Sequence, residues 1–306
     1  VRDQRTDIAE VVLDAALGLA RRDLEARHGR PPGGPGGDFL VVAYGKLGGI
    51  ELGYCSDLDL VFLHGGGAGT SPTDGPRPVD RATFFTRLGR RLTHLLTTHT
   101  AAGTLYELDF RLRPSGSSGL LVSGLDAFEE YQAAQAWTWE HQALVRARPV
   151  CGDPELAERF RAVRARVLAV PRDPDRLRRE VWEMRERMRQ ALGSKGAQGF
   201  NVKQDRGGIA DIEFMVQYHV LRWAHEHPGI LRYTDNIRIL EGLRDAELVP
   251  PDEVDLLMDA YRRFRAQVHR GALQEQADHR LGESLQDLRR QVEAVWERVI
   301  GPGGSG

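Results

Sequence analysis

The sequence predicts an α+β chain, with a small domain of strands and helices followed by an all-α helical bundle. Three observations predict it. Phe39–Tyr44 is a continuous apolar run of strand length, while Ser56–Leu63 and Leu105–Arg113 alternate their side chains in the manner of strands. Helix-spaced apolar residues precede the first strand and separate the second from the third. From about Leu125 onward the spacing is helical throughout. These changes of period place the first domain at residues 1–124, the bundle at 125–300 and a flexible tail at 301–306.

In chain order, Asp7 to Arg27 reads as a helix with Ile8, Val11, Val12, Ala15 and Leu19 at helical spacing. The Gly/Pro stretch from Gly29 to Gly37 cannot hold regular structure. Phe39–Tyr44 reads as a buried strand and is followed by Gly45-Lys46-Leu47-Gly48-Gly49. After the second strand, residues 64–79 are rich in Gly, Pro, Ser and Thr and read as a flexible surface loop. A helix at 80–98 carries Phe84, Leu88, Leu92 and Leu95 on one stripe. In the second half, Leu177/Val181/Met184/Met188, Val254/Leu257/Tyr261/Phe264/Val268 and Leu285/Leu288/Val292/Val295/Val299 form three stripes. Their steps of three and four suit antiparallel bundle packing.

Composition bounds the function classes. With 306 residues the chain can bury a large core and form two domains, and 41% hydrophobic with 28% charged residues is ordinary for a soluble globular protein. The net charge of −2 lacks the basic excess of a general nucleic-acid binder, and no apolar run approaches bilayer length, so neither partner is expected. Cys55 and Cys151 make no disulfide framework, which points to a reducing cytoplasm; both read as small buried hydrophobes. Of 42 Lys+Arg only Lys46, Lys195 and Lys203 are lysine, and Lys46 lies inside the glycine motif. The start at Val1 within an amphipathic pattern and the Gly-rich end are expected of a fragment of a longer protein.

The second strand places Asp57 and Asp59 on one face while Leu58, Leu60 and Phe62 enter the core. Two neighbouring carboxylates repel each other, and a hard divalent cation such as Mg²⁺ removes that penalty. The alternative is a solvated strand face. On the third strand Glu107, Asp109, Arg111 and Arg113 share a face, a ladder of charges opposite Tyr106, Leu108, Phe110 and Leu112. A third carboxylate from Asp109 would allow two metals roughly 3.5–4 Å apart, the arrangement used for in-line displacement at phosphorus. Arg111 and Arg113 would either meet phosphate oxygens or balance the carboxylates in a cross-strand ladder. Gly48-Gly49, separated from Asp57 by seven residues and directly after a strand, lets backbone N–H groups approach a phosphate closely.

Strand, Gly48-Gly49, short spacer, Asp57-x-Asp59 and a third aspartate on a charged strand resemble the polymerase-β-like nucleotidyltransferases. That resemblance implies a small mixed sheet with helices, and it makes Lys46 a candidate triphosphate contact, the alternative being a solvated turn lysine. Four stretches, Tyr44–His64, Tyr106–Gly116, Ala136–Arg148 and Gly207–Phe214, are similar to one family within that superfamily, the glutamine synthetase adenylyltransferases. The family carries two catalytic halves, an amino-terminal one that removes AMP by phosphorolysis and a carboxy-terminal one that attaches it. Glu51-Leu52-Gly53-Tyr54, Trp137-Thr138-Trp139-Glu140-His141-Gln142 and Asp211-Ile212-Glu213 fit the carboxy-terminal half.

The resemblance implies that Asp57, Asp59 and Asp109 hold two Mg²⁺ ions and are the catalytic residues. Gly48, Gly49, Lys46, Ser56, Arg111 and Arg113 would contact ATP. AMP would pass to a tyrosine of glutamine synthetase, releasing pyrophosphate and turning down nitrogen assimilation, with a P-II signalling protein as a further partner of the full-length chain. Rival readings are the phosphorolytic half, a non-catalytic module of the same fold, and a nucleotidyltransferase acting on nucleic acid. Cys55 departs from the serine common in relatives.

In the bundle, Trp137, Trp139, Glu140 and His141 fall within one turn, as aromatic core around a Glu–His pair or as a substrate contact. Arg146 and Arg148 reach the triphosphate or pair with acids on a neighbouring helix. Asp205, Asp211 and Glu213 flank Gly207-Gly208 at an expected helix start, where structural capping is favoured. His219, His225 and His227 lack the partners of a zinc site.

Overall fold

The computed structural model describes residues 4–31, 39–54, 56–65, 71–101, 103–193, 201–274 and 283–302. The Gly/Pro stretch from residue 32, Cys55, residues 66–70 of the surface loop, Lys195 and residues 303–306 of the tail lie outside them. The chain divides into two compact units, residues 1–136 with 146–167, and residues 137–145 with 168–306. The division differs from the expected break at 124/125. After one helix of the second unit, the chain returns to the first unit as a sheet strand and a helix.

The first unit is built on a mixed sheet of five strands: β1 (Phe39–Ala43), β2 (Leu58–His64), β3 (Leu108–Asp109), β4 (Val122–Gly124) and β5 (Arg148–Gly152). The order is β3-β2-β1-β5, with β4 pairing β2 beyond the end of β3. β1 runs antiparallel to β2 and β5, whereas β3 and β4 run parallel to β2. β1 is central and apolar at every position, and all five of its residues are buried, as its continuous run requires. β5 was not expected, because Arg148-Pro149-Val150-Cys151-Gly152 shows no alternation and lies between helices; α4 (Leu125–Ala134) follows β4 and α6 (Pro154–Leu168) follows β5.

Helix α1 (Gln4–His28) and helix α3 (Arg81–Thr97) contribute Ala9, Leu13, Leu17, Leu24, Phe84, Phe85, Leu88 and Leu92 to a core that also takes Phe39, Val41, Leu58, Leu60 and Phe62 from the sheet. α3 begins where Asp80 accepts the Thr83 N–H at 2.8 Å, a side-chain N-cap. α1 turns an unexpected face inward. The residues whose spacing marked it as a helix include Ile8, Val11 and Leu19, which are exposed. Its buried side is an alanine-rich stripe of Ala9, Leu13, Ala16, Leu17, Ala20 and Leu24.

The third strand is shorter than its alternation predicts. Only Leu108 and Asp109 pair with β2, and the chain then turns, with the Arg113 N–H donating to the Phe110 carbonyl at 3.3 Å. The expected ladder of charges from Glu107 to Arg113 therefore does not form, because the backbone leaves the extended conformation directly after Asp109.

The second unit is helical: α5 (Thr138–Val145), α7 (Pro174–Leu192), α8 (Ile209–Trp223), α9 (Asn236–Asp245), α10 (Pro251–Gln274) and α11 (Glu283–Val299). α8 is its centre, with Ile212, Met215, Val216, Val220 and Leu221 fully buried. Leu177 and Val181 of α7, Val254, Leu257, Tyr261 and Phe264 of α10, and Leu288, Val292 and Val295 of α11 are buried as their stripes predict. Among the described residues no helix is long and apolar enough to cross a membrane.

The acids around Gly207-Gly208 have structural partners. Asp211 is fully buried between Arg185 (Nε at 2.7 Å) and Arg189 (2.9 Å), and it accepts the Gly207 N–H at 2.8 Å. The Tyr261 hydroxyl donates to Glu213 at 3.1 Å, and the Asn201 N–H donates to Asp205 at 2.8 Å. Glu140 accepts the Trp137 N–H at 2.8 Å, while the Trp137 ring is largely exposed and so is no part of an aromatic core. His219 is enclosed in α8, and burial pushes its pKa down to about 4, which keeps the ring neutral.

Candidate active site

β1 delivers the chain into a single helical turn, α2 (Gly45–Gly48), and β2 lies beside it. Gly45 starts the turn at φ +53, and a side chain there would collide with the Asp59 carboxylate. Only glycine serves both demands, so Gly45, which the sequence reading passed over, is the residue that sets the turn directly against Asp59. The turn closes with the Ile50 N–H donating to the Leu47 carbonyl at 3.2 Å and the Glu51 N–H to the Lys46 carbonyl at 2.8 Å. This is the Schellman pattern, in which the left-handed position is usually glycine; here Ile50 occupies it at φ 56.

Gly48 and Gly49 are needed for close approach. A side chain on Gly48 would strike the main-chain carbonyls of Ala43 and Arg146, and one on Gly49 would strike the Arg146 guanidinium. Their N–H groups donate within the turn, to the Tyr44 carbonyl at 2.8 Å and the Gly45 carbonyl at 3.0 Å. Lys46 points toward Ser56, its Nζ donating to the Ser56 hydroxyl at 3.2 Å, and that hydroxyl also accepts the Gly53 N–H at 3.2 Å.

The parallel pairing of β2 and β3 sets Asp59 directly beside Asp109. Asp57, two residues earlier, shares the Asp59 face. Each of the three offers a carboxylate oxygen within 4.8 Å of those of the other two, and this is the one such acidic cluster among the described residues. Burial, then the charges of Asp57 and Asp109, raise the Asp59 pKa to about 6, while Lys46 and Arg146 pull it down. The cluster is thus short of positive charge.

Arg111 supplies some. Its N–H donates to Asp109 at 2.8 Å, its Nε at 2.7 Å, and its outer guanidinium nitrogen also binds that carboxylate, which lowers the Asp109 pKa. Arg113 instead ties its own loop, donating to the carbonyls of Phe110 (3.1 Å), Ser117 (2.9 Å) and Gly119 (3.1 Å).

Arg146 and Arg148 meet acids. Arg146 forms a buried ion pair with Glu51, and Arg148 pairs with Glu10 of α1 while donating to the carbonyls of Leu47 and Gly48 at 3.0 Å each. The Glu51–Arg146 pair was not foreseen. Its one signal was a glutamate placed between Ile50 and Leu52 in an otherwise apolar turn. Cys151 is inert beside the core, its thiol pushed up to about 12 by burial.

Residues 1–163 match the family described as glutamate-ammonia ligase adenylyltransferase, and residues 175–296 match the one described as GlnD PII-uridylyltransferase. The chain is 52% identical to the bifunctional glutamine synthetase adenylyltransferase/adenylyl-removing enzyme of Pseudomonas putida, over 97% of its own length and 32% of the relative's. It is 53% identical to the enzyme so named in Thioalkalivibrio sulfidiphilus, over 99% of the chain and 32% of the relative. For Pseudomonas aeruginosa the figures are 52%, 98% and 32%. The chain thus spans about a third of the length of the curated relatives it matches. A family match over more than half of its residues shows that the chain belongs to the glutamate-ammonia ligase adenylyltransferase family.

Proposed function

We propose that the chain is the adenylylating half of such an enzyme, transferring AMP from ATP to a tyrosine hydroxyl of glutamine synthetase with release of pyrophosphate. The observation that carries the reading is the convergence of Asp57, Asp59 and Asp109. The cluster fits divalent metal, since three oxygen ligands converge and one of them, Asp59, keeps a raised proton affinity through burial and then through its two carboxylate neighbours. The trio would hold two magnesium ions, which when bound would neutralise phosphate charge and favour the phenolate of a tyrosine whose ordinary pKa is about 10.

The chain's own residues do the positioning. Lys46, held over Ser56 beside Asp59, meets the triphosphate, and Arg111 exchanges its hold on Asp109 for a phosphate oxygen. Gly48 and Gly49 contribute through shape, keeping the turn close to β2, since their N–H groups are already engaged. The helical unit positions the protein acceptor. A P-II protein is a further partner of a family-length polypeptide, a reading supported by the family matched over residues 175–296. We place the enzyme in the cytoplasm.

The relatives' shared name also covers AMP removal, so both directions are tested together. Incubation with α-labelled ATP, magnesium and unmodified glutamine synthetase is expected to label the acceptor. Incubation of the AMP-modified acceptor with phosphate is expected to yield no ADP. ADP without labelling would assign the chain to the phosphorolytic half, and neither product would leave it a non-catalytic module.

A further inference from the structure

We propose that Arg146 is a positioning residue for nucleotide binding, holding the Gly45–Glu51 turn in a strained form that keeps Lys46 against the aspartates. The inference rests on the nucleotidyltransferase reading above and adds a residue to it. Three observations meet at this side chain. Ile50, β-branched, sits at φ 56, in the left-handed region that disfavours a non-glycine residue. Such a conformation persists only where the surroundings over-determine it. The neighbours on either side of Ile50 are both engaged by Arg146, whose guanidinium covers Gly49 and pairs with Glu51.

That pair is buried, with side-chain exposures of 5% and 7%, so it is neither exchanged with water nor screened by salt. The Arg146 main chain matters too, because its carbonyl lies where a side chain on Gly48 would be. The chain entering β5 thus holds the turn from behind, through Arg146 two residues before the strand and through Arg148 at its first position, on the carbonyls of Leu47 and Gly48. The same turn carries Lys46, whose carbonyl closes it by accepting the Glu51 N–H and whose ammonium reaches Ser56. Releasing Glu51 would let Ile50 relax and would carry Lys46 away from Asp59.

Replacing Arg146 alone would strand a buried carboxylate, so the test uses the neutral pair Glu51→Gln with Arg146→Gln, which leaves the net charge unchanged. The measurement is calorimetric binding of a non-hydrolysable ATP analogue in magnesium, beside the melting temperature of each variant. The double variant is expected to melt close to wild type yet bind the nucleotide about tenfold more weakly. Adding Ile50→Gly, which makes the left-handed turn unstrained, is expected to recover most of that affinity. Wild-type affinity in the double variant, or no recovery in the triple one, overturns the role of Arg146. A wild-type chain that binds no nucleotide overturns the underlying reading instead, and the two failures are told apart without any protein acceptor.

Discussion

Replacing Asp59 with asparagine is expected to stabilise the metal-free protein at the pH where it abolishes activity. The Asp59 pKa is raised from 3.8 to about 6, chiefly by burial and then by Asp57 and Asp109. A folded-state pKa above the unfolded one means that protonation favours the folded state. That stability is fully present below 3.8 and is lost as pH rises through about 6. A rise of roughly two units at 1.36 kcal/mol each makes the ionised carboxylate cost about 3 kcal/mol at neutral pH. Because the group is half-buried, about 1–3 kcal/mol is the expected range.

Asparagine mimics the protonated form and removes that cost. Urea unfolding in a chelator at about pH 8 should therefore show Asp59→Asn more stable than wild type by that amount, with most of the gap closed by about pH 4. Magnesium should raise the wild-type midpoint at about pH 8 and move the variant far less. A variant equal to or less stable than wild type in chelator at that pH would refute the account of a site short of positive charge.

Two further outcomes follow from the same geometry. Arg111→Ala removes the cation that clasps Asp109, so magnesium should bind about three- to tenfold more tightly in a calorimetric titration, and weaker binding would count against the exchange of Arg111 for metal. Arg185→Met leaves Asp211 buried with one partner fewer and should cost the helical unit about 3–5 kcal/mol in urea unfolding, with most of it regained on adding Asp211→Leu. An Arg185→Met variant of wild-type stability would show that Arg189 suffices alone.

The sequence made legible what depends on pattern along one segment. β1 followed from its apolar run and β2 from its alternation, which also put Asp57 and Asp59 on one face, whereas the parallel pairing of β2 and β3 that brings Asp109 beside them is visible only in the structure. The bundle stripes followed from periodicity because α7, α10 and α11 each bury one apolar face, whereas α8 is buried nearly all round. α1 misled because it is apolar on two sides, and spacing alone does not say which side meets the sheet. Ile8, Val11 and Leu19 are bulkier than the alanines that are in fact buried. The Glu107–Arg113 alternation misled because a turn after Asp109 redirects Arg111 onto it and Arg113 onto its own loop. Contacts between distant segments, such as Glu51 with Arg146, left almost no mark on either segment.

The return of β5 to the sheet governs where this polypeptide can be cut. A recombinant piece ending near residue 124 would lack the strand beside β1, exposing the main-chain edge of an otherwise fully buried strand. Such a piece should aggregate rather than fold. A fragment that keeps the whole sheet must run past β5 to about residue 167, and it takes α5 away from the helices of its own unit, so domain swaps between family members should keep residues 1–167 together with the helical unit.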